Sequence, residues 1–538
     1  MWSLVSFLLF TAMVGAISWW IARREDTSDA RGYFLAGRNL PWYFICGSLL
    51  LTNLSTEQLV GLNGSAYRHG FEVMAWEVVA AVTLVAMAWY FFPRYWRTGI
   101  YTVPQFLEIR YDRATRRWVS GVFLLTICVG FLPFVLYSGA VALEGLFEVS
   151  ARFGLEQRTA IVGLVWAIGI VGSLYAIFGG LAAVAVSDTI NGIGLLVGGL
   201  LIPVLGLVAL GDGELFAGVA RLIEKQPQSL SPLGEPTSVM PVGTLFTGLL
   251  LINVYYWCMN QTIVQRVFGA RSLAEGQKGV LVTAALKLIG PLYLVLPGVI
   301  ALELFGAGLA DGDLAYPRLV DAVLPKPLVG LFGAVLFGAI LSSFNSALHS
   351  ASTLFGLDLY QGFFRPQADD RSAVRAGRAF GIVLAFGSMI SAPYIAQAPD
   401  GLFLLMKKLA AIFNIPLLAI VVMGMVSGRP PAWAAKLCIA LGAAFYIVFS
   451  LIGGDRIFGW QVNWLHLAGI NFAVLCVFLA VAGGLSPAPV AGGNPVSGPA
   501  PAPAANTPWR WNVPAGVAVI ALVVALYASL QFLAAANT

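Results

Sequence analysis

The sequence predicts an all-α polytopic membrane protein. Only 11% of its 538 residues are charged, against 59% hydrophobic; a soluble chain carries about 25% charged residues. Mean hydropathy is +0.83. Fourteen stretches come close to the roughly 20 mostly apolar residues that a membrane helix needs. They lie near residues 2–22, 41–67, 71–97, 118–143, 159–178, 182–211, 240–265, 279–305, 327–357, 379–396, 401–427, 431–453, 459–484 and 511–535. A surface so poor in charge cannot be solvated. That excludes a cytosolic enzyme, a nucleic-acid-binding protein and a disordered scaffold.

The first stretch has no Lys or Arg before it, and Arg23 and Arg24 follow it. It reads as a retained helix with its N-terminus outside, not as a signal peptide. Threading the chain through the remaining stretches puts twenty Lys and Arg in loops on one side and eight on the other. The basic side includes Arg94, Arg97, Arg110, Arg113, Arg116, Arg117 and Arg266. This asymmetry predicts an even number of spans in the cell inner (plasma) membrane, with both termini outside. The net charge of +5 is thereby orientation charge and not the footprint of an anionic partner.

Residues 1–40 form a first helix and cytoplasmic loop. Residues 41–211 and 240–427 form two large blocks, separated by an external loop at 212–239. Residues 428–484 add two peripheral helices, 485–510 an uncharged Pro/Ala/Gly linker, and 511–538 the last helix. The external stretches 212–239 and 306–326 are expected to hold short surface helices. Five cysteines, none in a C-x-x-C, and three scattered histidines point to buried thiols, with no disulfide framework or metal cluster.

Two stretches carry polar residues where a bilayer penalises them. In the second, Thr52-Asn53-Leu54-Ser55-Thr56-Glu57-Gln58 interrupts an apolar run. Either the helix unwinds there and its carbonyls line a cavity, or the side chains bond neighbouring helices. In the ninth, Ser342, Ser343, Ser346, His349, Ser350 and Thr353 share, with Ala339, an arc of roughly 120° at 3.6 residues per turn. That stripe serves either small-residue packing or a polar site. Together the two segments suggest a sodium site, because a hard cation takes carbonyl and hydroxyl oxygens.

Further ionisable and polar groups within stretches are Glu77, Asp188, Asn253, Asn260, Lys287, Lys407 and Lys408. With Gln58 and the aromatic run Tyr255-Tyr256-Trp257, several of these suit a sugar site, which combines a flat ring with paired donors and acceptors. A structural Glu–Lys pair beside interfacial aromatics uses the same residue types.

Several motifs in order resemble the sodium–solute symporter family, in its sodium–sugar branch. They are Tyr33-Phe34-Leu35-Ala36-Gly37-Arg38; Asn53 to Gln58; Tyr175-Ala176-Ile177-Phe178-Gly179-Gly180-Leu181 followed by Asp188; Asn253 to Trp257 with Asn260-Gln261, Gln265-Arg266 and Gln277-Lys278-Gly279; and Ser350 to Phe355 with Asp358 and Tyr360. The resemblance runs from about Tyr33 to Met425 and is closer still to a bacterial YidK-like subgroup. It implies a LeuT-type fold of two inverted five-helix repeats, with broken second and seventh spans and sites at the midplane. It also implies a Na+-coupled symporter that takes up a small-molecule solute, a sugar or sugar-like compound, by alternating access.

Carried over position by position, the family's sodium ligands become the carbonyls of Leu51, Leu54 and Ala339 and the hydroxyls of Ser342 and Ser343. A second sodium would use Asp188, Ser342, Asn345 and Ser346, although Asn345 stands where the family usually has a small or hydroxyl residue. Solute contacts map to Gln58, Trp76, Glu77, Asn253, Lys287 and Lys408, and the inner gate to Tyr256 and Trp257. Trp76 replaces a Tyr, Ala80 a Ser, Phe131 an Asn and Lys408 a Gln. The added cation at Lys408 opens a second reading, an acidic sugar or other carboxylate as solute. A non-transporting sodium or solute sensor is a third. An enzyme is not expected, for want of a nucleophile–base pair. The oligomeric state is not readable.

Overall fold

The computed structural model describes residues 2–23, 27–309, 312–397, 402–453, 462–486 and 506–537. The greater part of the 485–510 linker therefore lies outside the described residues. The principal helices are α1 (Trp2–Ala22), α2 (Trp42–Asn53), α3 (Thr56–His69), α4 (Ala75–Ala86), α5 (Arg113–Leu125), α6 (Leu132–Phe147), α7 (Gln157–Leu210), α8 (Gly248–Cys258) and α9 (Gln261–Phe268). They continue with α10 (Leu273–Lys287), α11 (Leu296–Phe305), α12 (Lys326–Thr353), α13 (Asp370–Ser391), α14 (Leu402–Val426), α15 (Ala432–Tyr446), α16 (Trp464–Leu485) and α17 (Asn512–Asn537). Short helices Leu215–Lys225 and Ala315–Val323 lie in the stretches 212–239 and 306–326.

Among the described residues, nine helices are long and apolar enough to cross a membrane, or eleven with each of two bent pairs taken as one span. Two of the nine are too long for one crossing. α7 has 54 residues, about 80 Å at 1.5 Å per residue, against a hydrocarbon core of about 30 Å. Gln58–Thr98 has 41. Each is interrupted at a glycine, Gly180 (φ 61°) and Gly70 (φ 70°). Divided there, and with the apolar segment Val5–Ile21 added, the helices account for all fourteen stretches.

Gly180 has two reasons to be glycine. Its backbone is left-handed, and a Cβ there would meet Tyr33 O at 2.9 Å. The Tyr33 hydroxyl donates to Ile177 O at 3.0 Å, fastening the start of the chain's first motif to this break. Gly180→Ala is expected to cost about 1–3 kcal/mol. It should lower the melting temperature of the purified protein, whereas Gly163→Ala, in open space, should leave it unchanged.

The helices pack in two groups. α10 packs on both α2 and α4, with α8 on α4 and α17 across α4 and α10; α6, α7, α12 and α13 form the second group, on which α1 lies and against which α2 also packs, through α7 and α12. α14 joins α8 to the peripheral pair α15 and α16. On the arginine-rich side α5 is tied by buried charge to the Leu354–Phe364 segment that follows α12. Asp358, fully buried, accepts from Arg116 at 2.6 Å, Thr102 at 2.9 Å and Ser120 at 3.1 Å. A buried carboxylate is tolerable because donors surround it. The five cysteines are free thiols.

Candidate cation site and solute cavity

The polar run in the second stretch does break the helix. Leu54 (φ −83°, ψ 71°) and Ser55 (φ −90°, ψ 175°) leave helical geometry between α2 and α3. Ser55 N, which in a continuous helix bonds Leu51 O, bonds Asn53 O instead; Gln58 N bonds Ser55 O in place of Leu54 O. The carbonyls of Leu51 and Leu54 are thus released from the helical pattern. A lipid-facing helix could not leave them so, but a buried break lined by other polar groups can. Leu51, Leu54 and Ser55 are all buried.

The hydroxyl stripe of α12 meets this break. Ser343 Oγ donates to Thr52 O at 3.4 Å, and the Ser346 and Thr52 hydroxyls are 3.2 Å apart. Ser342 Oγ faces Asp188 but completes no hydrogen bond, and Asn345 Oδ1 is likewise buried without a partner. Ala339 lies one turn before Ser343 in the same helix. Freed carbonyls on the break and unsatisfied side-chain oxygens on the helix that meets it through Thr52 are the kind of ligand a small hard cation takes. Farther along the stripe, Ser350 donates to Gln265 Oε1 at 3.0 Å, while Gln265 Nε2 donates to Thr353 Oγ1 at 2.7 Å and Phe34 O at 2.9 Å. The stripe therefore packs α9 as well as facing the break, so the two readings of it coexist.

Arg266 corrects the charge count. It is not a loop residue but is buried on α9 at 1% exposure. Its guanidinium donates to Ser48 Oγ at 2.8 Å and contacts Thr262 O and Ser346 Oγ, with Asp188 Oδ2 3.9 Å away. Asp188 in turn accepts from Ser48 at 2.5 Å. Asp188 and Ser346 already face this guanidinium. Arg266 was missed because an eight-residue helix after a break carries no periodicity from which depth can be read.

A cavity of about 300 Å³ lies beside the break. One wall holds Asn53, Gln58, Trp76, Glu77, Asn253, Tyr256, Trp257 and Asn260; the other includes Phe123, Phe131, Phe413 and Asn414. Gln58 Nε2 donates to Glu77 Oε1 at 2.5 Å, and Lys287 Nζ pairs with Glu77 Oε2 at 2.6 Å and also reaches Asn53 Oδ1. Lys287 is fully buried and is not on the cavity wall; it stands behind Glu77, 5.2 Å from the centre of the Trp257 ring. Tyr256 and Trp257 meet edge to face at 5.3 Å, and Trp76 stacks near Trp464 at 6.3 Å. Asn253 Nδ2 donates back to Leu249 O at 3.1 Å. The side chain of Lys408 lies outside the described residues, as does that of Lys407. Trp464, from the peripheral α16, and Phe413 and Asn414 had no signal in the sequence, since nothing in their own segments marks them.

The model of the sodium:solute symporter family matches residues 33–435. The uncharacterized symporter YidK of Escherichia coli (strain K12) is 48% identical over 484 residues, covering 90% of this chain and 84% of that protein. The sodium/glucose cotransporter of Vibrio parahaemolyticus is 32% identical over 415 residues, covering 72% of this chain and 74% of that protein. Among solved structures, the substrate-bound outward-open state of a Na+-coupled sialic acid symporter aligns at a TM-score of 0.75 and 19% identity, covering 90% of this chain and 98% of that one. The fold is thus the LeuT-type fold of these transporters. The chain belongs to the sodium:solute symporter family and is a multi-pass membrane transporter with sodium as its coupling ion.

Proposed function

We propose that the protein imports a neutral sugar or sugar-like solute together with one sodium ion, by alternating access, and that it works in the plasma membrane with both termini outside. The observation that carries this is the break between α2 and α3. At the end of α2, Thr52 meets the α12 hydroxyls of Ser343 and Ser346 on one side, and in the first turn of α3 Gln58 lines the solute cavity on the other. Cation and solute would then stabilise the same local backbone, and that shared element is what couples them. The sugar/inositol-type polar wall and aromatic rings beside it favour a polyhydroxylated solute. The glucose cotransporter among its relatives supports the same class.

The cavity also speaks to solute charge. Glu77, a carboxylate on its wall, is paired with Lys287, and a charge-balanced pair at the wall favours a neutral solute. The acidic-sugar alternative turns on Lys408, whose side chain lies outside the described residues. One sodium per cycle is supported by Arg266, whose guanidinium already takes up Asp188 and Ser346. One charge crossing ~100 mV supplies about 2.3 kcal/mol, and a tenfold sodium gradient roughly 1.4 kcal/mol more. The sum corresponds to an accumulation of roughly several-hundred-fold.

Proteoliposomes loaded with a sodium gradient and offered a panel of labelled neutral and acidic sugars test this reading. Neutral-sugar uptake should depend on sodium and carry one charge per solute. Sodium-dependent uptake restricted to acidic solutes, two charges per neutral solute, or binding without flux would each refute a part of it.

A further inference from the structure

Away from the transport path, a groove of about 530 Å³ runs along α5 where it meets the Leu354–Phe364 segment that extends α12. We propose that this groove binds an anionic phospholipid, its headgroup at Arg117 and one acyl chain along Gly121 to Leu125.

Charge bookkeeping along α5 singles out Arg117. Arg113 and Arg116 share Glu108, at 3.1 and 2.6 Å, and Arg116 also holds Asp358. Arg117 has no carboxylate partner among the described residues. Its Nε is buried without a hydrogen-bond partner, and its guanidinium lies 4.3 Å from the centre of the Phe363 ring. This positions a fixed, unneutralised cation at the end of the groove on the arginine-rich side, where a positively charged side faces an anionic leaflet. Trp118 and Phe364 flank it, 56% and 60% exposed, as aromatic residues do at headgroup level. From there the groove is apolar to Leu125, eight residues on and about 12 Å deeper. Its floor is Gly121, where an added Cβ would meet no atom within 4 Å. A cation with an unsatisfied donor, an aromatic rim and an empty apolar trough fit a phosphate-bearing headgroup with its attached chain. A free anion would use only the first of these, and a neutral lipid only the last two.

The test uses the full chain in detergent, incubated with equal amounts of phosphatidylglycerol and phosphatidylcholine of identical acyl chains, and reads retained lipid by native mass spectrometry. The parent should retain phosphatidylglycerol in excess. Arg117→Gln should lower that excess roughly fivefold, the equivalent of about 1 kcal/mol. Gly121→Phe, whose Cβ enters open space and whose ring would occupy the trough, should reduce retention of both lipids. Arg365→Gln, an exposed arginine on the same side, should change neither. Equal retention of the two lipids by the parent would overturn the proposal whatever the variants do. So would an unchanged ratio in folded Arg117→Gln, an equal loss in Arg365→Gln, or displacement of phosphatidylglycerol by inorganic phosphate.

Discussion

Replacing Ser342 and Ser343 together by alanine is expected to raise the sodium concentration for half-maximal uptake by more than tenfold, with solute uptake persisting at very high sodium. Each hydroxyl would give an oxygen to the bound ion, and a polar contact to a charge is worth about 1.5–3 kcal/mol, so even one fully lost ligand is roughly a tenfold change or more. Ser343→Ala alone should show most of the effect, since Ser343 already touches the break through Thr52 O. Ser342→Ala also removes a buried oxygen that has no protein partner, so its loss should leave the sodium-free protein as stable as before or slightly more stable. Sodium-induced stabilisation of the purified protein, read as a melting-temperature shift against potassium, separates ion binding from transport. The control is Ser350→Ala, whose hydroxyl serves Gln265 and should leave sodium affinity alone. A double variant with unchanged sodium dependence would remove the cation from this place.

The parts of this site differ in how far the chain announces them. Composition and charge asymmetry suffice for a membrane bundle, because a bilayer leaves few solutions for an uncharged surface. The break at Leu54 was legible for the same reason: six polar residues in seven positions have no place on a continuous lipid-facing helix. The stripe on α12 was legible as a shared face, through the helical period alone, but its partner was not. Periodicity says which residues look the same way and nothing about what they look at. That is why Arg266 reads as loop charge although it is buried against Ser346. Lys287 and Glu77 are 210 positions apart, and no local pattern links them; the alternatives of sugar contact and structural ion pair were open at that level. The structure joins the pair to Gln58, with Glu77 and Gln58 on the cavity wall and Lys287 behind them, where one arrangement can serve both.

The second large effect separates those two roles. Lys287→Met leaves Glu77 as a buried carboxylate facing only the Gln58 amide, and breaking a buried pair this way costs about 3–5 kcal/mol. The single variant should therefore accumulate poorly and melt well below the parent. Adding Glu77→Gln removes the orphaned charge, and neutral replacement of a whole buried pair is often nearly neutral in stability. The double variant should regain most of the lost melting temperature. Its uptake should stay more than tenfold below the parent. The carboxylate that orients Gln58 at 2.5 Å would be gone, and a site built on fixed donors and acceptors loses its ligand when one is displaced. Thermal stability and uptake then part company in one molecule. Were uptake restored along with stability, the pair would be a strut between α4 and α10 and the solute would have to be held by the remaining wall, Asn253, Trp76 and Tyr256. Were neither restored, Lys287 would be needed for folding through Asn53 and the Trp257 ring as well as through Glu77.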